Sequence, residues 1–170
     1  NTNLVGSYNA DNVMAAIAVG VHFGVSFEDA VKAIEAYVPA NKRSQMTKTE
    51  RNTLIVDAYN ANPTSMAAAL ENFSNVSADC KVALLGDMLE LGEESLAEHV
   101  AVIKSACSRG LARVYFVGKE FQAASAEVSA EMLSVAHFFA TSDELSSHLA
   151  AEQLSGATIL IKGSRGTRME

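Results

Sequence analysis

Thr53-Leu-Ile-Val-Asp-Ala-Tyr-Asn-Ala-Asn-Pro63 is the stretch whose reading decides the fold. Thr53 to Val56 is a short apolar run of the kind that forms a buried strand, and it ends at Asp57 in a polar turn. Asn62-Pro63 then opens a helix, because an asparagine side chain can cap free amides and proline suits the first helical position. Strand, polar turn and helix recur downstream. Val82–Leu85, Arg113–Val117, Val135–Phe139 and Thr158–Ile161 read as further strands. Helical spacing joins Met66, Leu70 and Phe73, then Leu96, Val100, Ile103 and Cys107, then Phe121, Ala124 and Val128. A fourth helix starts at Thr141-Ser-Asp-Glu144, a capping box. Parallel neighbours need crossover connections, so this alternation predicts an α/β fold: a three-layer, Rossmann-like, mostly parallel sheet covered on both faces.

Upstream the pattern differs. Ala10, Val13, Ile17 and Val21 predict a helix over residues 7–20, and Ser26-Phe-Glu-Asp29 starts a second that Pro39 ends. A polar extended stretch then runs to Glu50, with a turn at Arg51-Asn52. A domain boundary is therefore expected near residue 40, with a helical piece over 1–40 and the α/β unit over 41–170.

Composition narrows the function. The chain has 170 residues, 49% of them hydrophobic, enough for one core. Its formal charge of -7 repels nucleic-acid phosphates and anionic membranes, so neither is an expected partner. Cys80 and Cys107 lack metal-ligand spacing and read as reduced thiols; no metal site is expected. No apolar run approaches the roughly 20 residues that cross a bilayer. Residues 1–9 carry neither basic residues nor an apolar stretch, so the expected compartment is the cytoplasm. His22, His99, His137 and His148 occur singly and read as structural.

Ligands of open α/β sheets bind beyond the carboxyl ends of the strands. The segments there are Asp57–Pro63, Gly86-Asp-Met-Leu-Glu-Leu-Gly92, Gly118-Lys119 and Lys162-Gly-Ser-Arg-Gly166. Asn62 either caps its helix or reads a ligand, whereas a turn has no structural need of Tyr59 and Asn60, which suits them to recognition. Gly163 and Gly166 let backbone amides turn toward a carboxylate or phosphate, with Lys162 and Arg165 adding charge; a solvated basic turn is the alternative. Asp87 and Glu90 offer acceptors to an ammonium group or magnesium ion, or else cap a helix. The chain has no Gly-x-x-x-x-Gly-Lys-Ser/Thr cradle and no Gly-x-Gly-x-x-Gly, and the second absence argues against a dinucleotide-dependent oxidoreductase.

Taken in order, Gly6-Ser-Tyr-Asn9 with Asn12 and Ala15-Ala16, Arg43, Asp57–Pro63, Leu85–Gly92 and Lys162-Gly-Ser-Arg165 resemble the Mur ligase family nearly end to end. The Tyr-Asn-Ala-Asn-Pro and Gly-Asp-Met-Leu-Glu-Leu-Gly motifs resemble the member that adds D-alanyl-D-alanine to UDP-N-acetylmuramoyl-tripeptide. That resemblance implies an ATP- and Mg2+-dependent ligase working through an acyl phosphate in peptidoglycan synthesis. It implies that this chain is the end of a central ATP-binding domain followed by the carboxy-terminal domain, inactive without the other domains. Asn9 and Asn12 would face the adenine, and Arg43 and Asp57 the ATP phosphates and ribose. Tyr59, Asn60, Asn62, Asp87, Glu90, Lys162, Ser164 and Arg165 would surround the dipeptide and acyl intermediate. A free-standing module that binds a small zwitterion or nucleotide at the same strand ends is the competing reading.

Overall fold

The computed structural model describes residues 2, 4, 9–38 and 45–170. Two helices come first, α1 (Asn9–His22) and α2 (Phe27–Ala36), and they pack on each other. Ser26 caps α2 as its sequence predicts, its hydroxyl accepting from Asp29 N at 3.1 Å. α1 buries no residue, and Met14, Val19, Phe23 and Phe27 of this pair lie exposed, Phe23 at 80%. Pro39 lies outside the described residues.

Beyond residue 45 the alternation builds one six-stranded sheet from β1 (Gln45–Lys48), β2 (Thr53–Asp57), β3 (Lys81–Gly86), β4 (Arg113–Val117), β5 (Ala136–Phe139) and β6 (Thr158–Lys162). Its order is β1-β2-β6-β3-β4-β5, parallel throughout except for β1. The antiparallel edge strand β1 was expected only as an extended stretch. Its residues 46–48 are exposed, so no alternation of apolar and polar side chains marks it.

Four helices connect the parallel strands: α3 (Pro63–Ser74), α4 (Ser95–Cys107), α5 (Lys119–Ser125) and α6 (Ser142–Glu152). Strand side chains alternate between two cores, as the pleat requires. Ala83, Leu85, Val114, Phe116 and Leu160 meet α3, α4 and α5 on one face, while Val82, Leu84, Tyr115 and Ile159 meet Leu145 of α6 on the other. The buried line of α4 is His99, Val102, Ile103 and Ala106 rather than the expected Leu96-Val100-Ile103-Cys107 line, of which Leu96 is exposed. A polar histidine at the centre of the stripe turned the apolar pattern by about one position.

The caps position the site. Asn62 Oδ1 accepts from Ser65 N at 2.8 Å, and Ser65 Oγ accepts from Asn62 N at 3.1 Å, closing a capping box at the start of α3. Asn62→Ala is expected to cost about 1 kcal/mol, read as a lowered denaturation midpoint with an unchanged denaturant slope. Thr141 Oγ1 accepts from Glu144 N at 3.2 Å to start α6, and Glu144 reaches back to Ala140 N at 2.9 Å.

Candidate functional site

The carboxyl ends of β2, β6 and β3 lie side by side, so the loops that follow them, 58–62, 163–166 and 87–92, converge on one rim. An inner tier of buried polar groups joins these loops. Register sets Asp57 beside Lys162 on neighbouring strands, and Lys162 Nζ donates to Asp57 Oδ2 at 2.7 Å and to the Asn60 carbonyl at 3.3 Å. Lys162 is only 1% exposed. An ammonium that far from water requires a paired anion and further acceptors, which Asp57 and Asn60 supply.

Ser164 links all three loops. Its backbone N donates to the Asp87 carbonyl at 3.1 Å, its hydroxyl donates to the Ala61 carbonyl at 3.3 Å, and the same oxygen accepts from Leu89 N at 3.0 Å. The backbones of β3 and β6 approach so closely here that a Cβ on Gly163 would lie 2.7 Å from Thr167 Oγ1 and 3.0 Å from Gly86 Cα.

Asp87 is also buried, and its carboxylate accepts from Glu120 N at 3.1 Å and Phe121 N at 3.0 Å, the first-turn amides of α5. Burial pushes its carboxyl above the ordinary value, opposed by those amide hydrogen bonds, which favour the charged form. Of the two sequence readings of Asp87, the structure shows the cap: its oxygens serve α5. Asn62 likewise serves its helix.

The outer tier is exposed. Tyr59 and Asn60 stand between buried Ala58 and Ala61, and Glu90 and Arg165 lie on the neighbouring loops. Glu90 adopts φ 67, a left-handed conformation unusual for a side-chain-bearing residue and concentrated at functional sites. The rim thus offers a phenol, an amide, a carboxylate and a guanidinium outside a buried framework. Asn9 and Asn12 share one face of α1, Asn12 Nδ2 donating to Asn9 Oδ1 at 3.4 Å. Arg43, with Gly6 to Tyr8, lies outside the described residues. Among the described residues no group of three or more His, Cys, Asp or Glu side chains could hold a metal ion.

Beside the rim, a cleft of about 420 Å³ opens between the ends of β4 and β5, where α5 leaves on one face of the sheet and α6 on the other. Such divergence is what opens a crevice in an α/β sheet. Lys119, Thr141 and Arg168 line it. Sequence reading passed over Arg168, which follows the basic loop, and took Thr141 only as a cap; the strand order that brings them together is not written locally.

Comparison with known proteins agrees with this arrangement. Residues 42–165 match the family model described as "Mur ligase, glutamate ligase domain". UDP-N-acetylmuramoyl-tripeptide--D-alanyl-D-alanine ligase of Treponema pallidum (strain Nichols) is 37% identical over 98% of this chain, and its Escherichia coli (strain K12) counterpart is also 37% identical over 98%. The chain spans 36% of the length of each of these curated relatives. Crystal structure II of MurF from Acinetobacter baumannii superposes with a TM-score of 0.85 at 33% identity, covering 96% of this chain and 36% of that one. No helix among the described residues is long and apolar enough to cross a membrane. With the sheet order, the converging loops and a family match over most of its length, the chain belongs to the Mur ligase family.

Proposed function

We propose that the chain is the carboxy-terminal part of a cytoplasmic ATP-dependent ligase that joins D-alanyl-D-alanine to UDP-N-acetylmuramoyl-tripeptide in peptidoglycan synthesis. The observation that carries this is the two-tier rim. Lys162 and Ser164 hold three loops in one arrangement, and the exposed groups include a carboxylate, Glu90, and a guanidinium, Arg165. A zwitterionic dipeptide asks for that pair: an acceptor for its ammonium and a forked cation for its carboxylate.

In the reaction this reading implies, the γ-phosphoryl group of ATP passes to the tripeptide's terminal carboxylate with release of ADP, giving an acyl phosphate. The deprotonated dipeptide amine attacks the acyl carbon, expelling inorganic phosphate as the amide forms and sheds its proton to solvent. The rim's part is positioning, the bringing together of amine and acyl carbon. Asp57 is engaged by Lys162, and among the described residues no acidic or histidine cluster fits a metal. Asp57 and Arg43, the latter outside the described residues, are assigned to the ATP ribose and phosphates, Asn9 and Asn12 to the adenine, and Mg2+ mainly to the central ATP-binding domain. Helices α1 and α2, with their exposed apolar side chains, are assigned to the central ATP-binding domain; the hinge expected near residue 40 lies outside the described residues.

Amide NMR titrations of the chain with D-alanyl-D-alanine, L-alanyl-L-alanine and magnesium-ADP test the proposal. Shifts confined to 57–63, 86–92 and 162–166, and specific to the D,D-dipeptide, are expected. Equal shifts from the L,L-dipeptide, or shifts of those loops by ADP alone, would sink the substrate assignment.

A further inference from the structure

We infer that His99 is a positioning residue for the outer-tier carboxylate Glu90, an inference that rests on the function proposed above. His99 is fully buried, with its ring edge-to-face against Phe121 at 4.6 Å between centroids. Both ring nitrogens are engaged. Nδ1 lies 2.7 Å from the Ser95 carbonyl oxygen, which can only accept, so Nδ1 carries the proton. Nε2 is then the acceptor that the Met88 N–H, 3.0 Å away, requires.

The next amide along, Leu89 N, is held by Ser164 Oγ from the β6 loop. Two consecutive amides are thus fixed by side chains from two different elements, and Glu90, directly after them, sits at φ 67. A side-chain-bearing residue keeps that conformation only where its surroundings over-determine it. The polar neighbours of the ring are Asp87, with Oδ1 3.7 Å from Nε2, and Ser95, whose hydroxyl donates to Glu120 Oε2 at 2.8 Å. His99 therefore couples the starts of α4 and α5 to the loop that presents Glu90. Without an acceptor at Nε2, Met88 N–H has no bond, Glu90 relaxes out of its strained conformation, and its carboxylate leaves the place where it meets an ammonium group.

The test compares His99→Gln, whose amide oxygen reaches the position of Nε2, with His99→Leu, which fills the pocket without an acceptor. In the chain itself, His99→Leu is expected to speed amide hydrogen exchange at Met88 by at least about tenfold, and His99→Gln by less than about threefold. In the parent protein, His99→Leu is expected to raise KM for D-alanyl-D-alanine by about tenfold with KM for ATP unchanged, and His99→Gln to restore it. Should His99→Leu fail to fold, His99→Asn, polar but too short to reach Met88, takes its place with the same expectation. Unchanged Met88 exchange, or equal impairment by Gln and Leu, overturns the inference, as does a loss of thermal stability with the dipeptide KM unmoved. A parent protein without any dipeptide-dependent ligation would instead refute the proposed function, while Met88 exchange would still decide what His99 holds.

Discussion

Gly118→Ala is expected to remove most of the stability of the α/β unit. Gly118 is the residue before α5 and has φ 121 and ψ 165, a region open essentially to glycine alone. A Cβ there would lie 2.1 Å from Asp87 Oδ2 and 2.2 Å from its Cγ. The carboxylate must withdraw, and the amides of Glu120 and Phe121 then lose the acceptor they share. Backbone strain of about 1–3 kcal/mol adds to roughly 1–3 kcal/mol for each buried donor left unpaired. Set against a typical domain stability of about 5–15 kcal/mol, the sum leaves little. Urea denaturation of the chain reads the loss directly. Asp87→Ala in the Gly118→Ala background should cost much less than Asp87→Ala alone, because the clash and the lost cap are one event. A loss below about 1 kcal/mol for Gly118→Ala would show that the β3 and β4 ends can separate without consequence.

Lys162→Met carries the second large effect. The thioether keeps the length of the buried stem but removes the ammonium that holds Asp57 and the Asn60 carbonyl. Removing one member of a buried ion pair costs about 3–5 kcal/mol, and the low end is expected because the Asp57 side chain keeps 17% exposure to water. Asp57→Asn combined with Lys162→Met should recover a good part of the loss, since no uncompensated charge then remains. Chemical denaturation of the two single variants and the double one closes the cycle. A coupling near zero would mean that the pair is incidental to the fold. On the function proposed above, Lys162→Met in the parent protein should also reduce ligation more than it reduces ATP affinity, because the released Asn60 carbonyl lets the 58–62 loop drift.

The sequence carried the architecture in its repeated units and concealed the tiers of the site. Runs such as Val82–Leu85 and Thr158–Ile161 are strands because they are apolar and bounded by turns, and Ser26, Asn62 and Thr141 cap helices as local chemistry dictates. β1 escaped notice because an edge strand exposed at residues 46–48 has no pattern to show. The phase of α4 was misread because its centre is His99, a residue that counts as polar in any periodicity. The polar strand ends were legible as a rim, but not the distinction between Lys162, Ser164 and Asp87 within and Tyr59, Glu90 and Arg165 without. Burial at those positions is decided by partners far away in the chain, Lys162 by Asp57 and Ser164 by Ala61, which no local window contains.

The single hydroxyl of Ser164, bonded both to Ala61 and to Leu89, also bears on how such a site could be altered. Loops tied at one atom are constrained in backbone path, not in side-chain identity. Because the hydroxyl's partners are a main-chain carbonyl and a main-chain amide, a transplanted 58–62 segment would keep the tie only where its backbone follows the same path past Ala61. On the function proposed above, acceptor choice in the parent ligase would vary by substitution at the exposed positions Tyr59, Glu90 and Arg165, which leaves the tie and the backbone paths of all three loops in place.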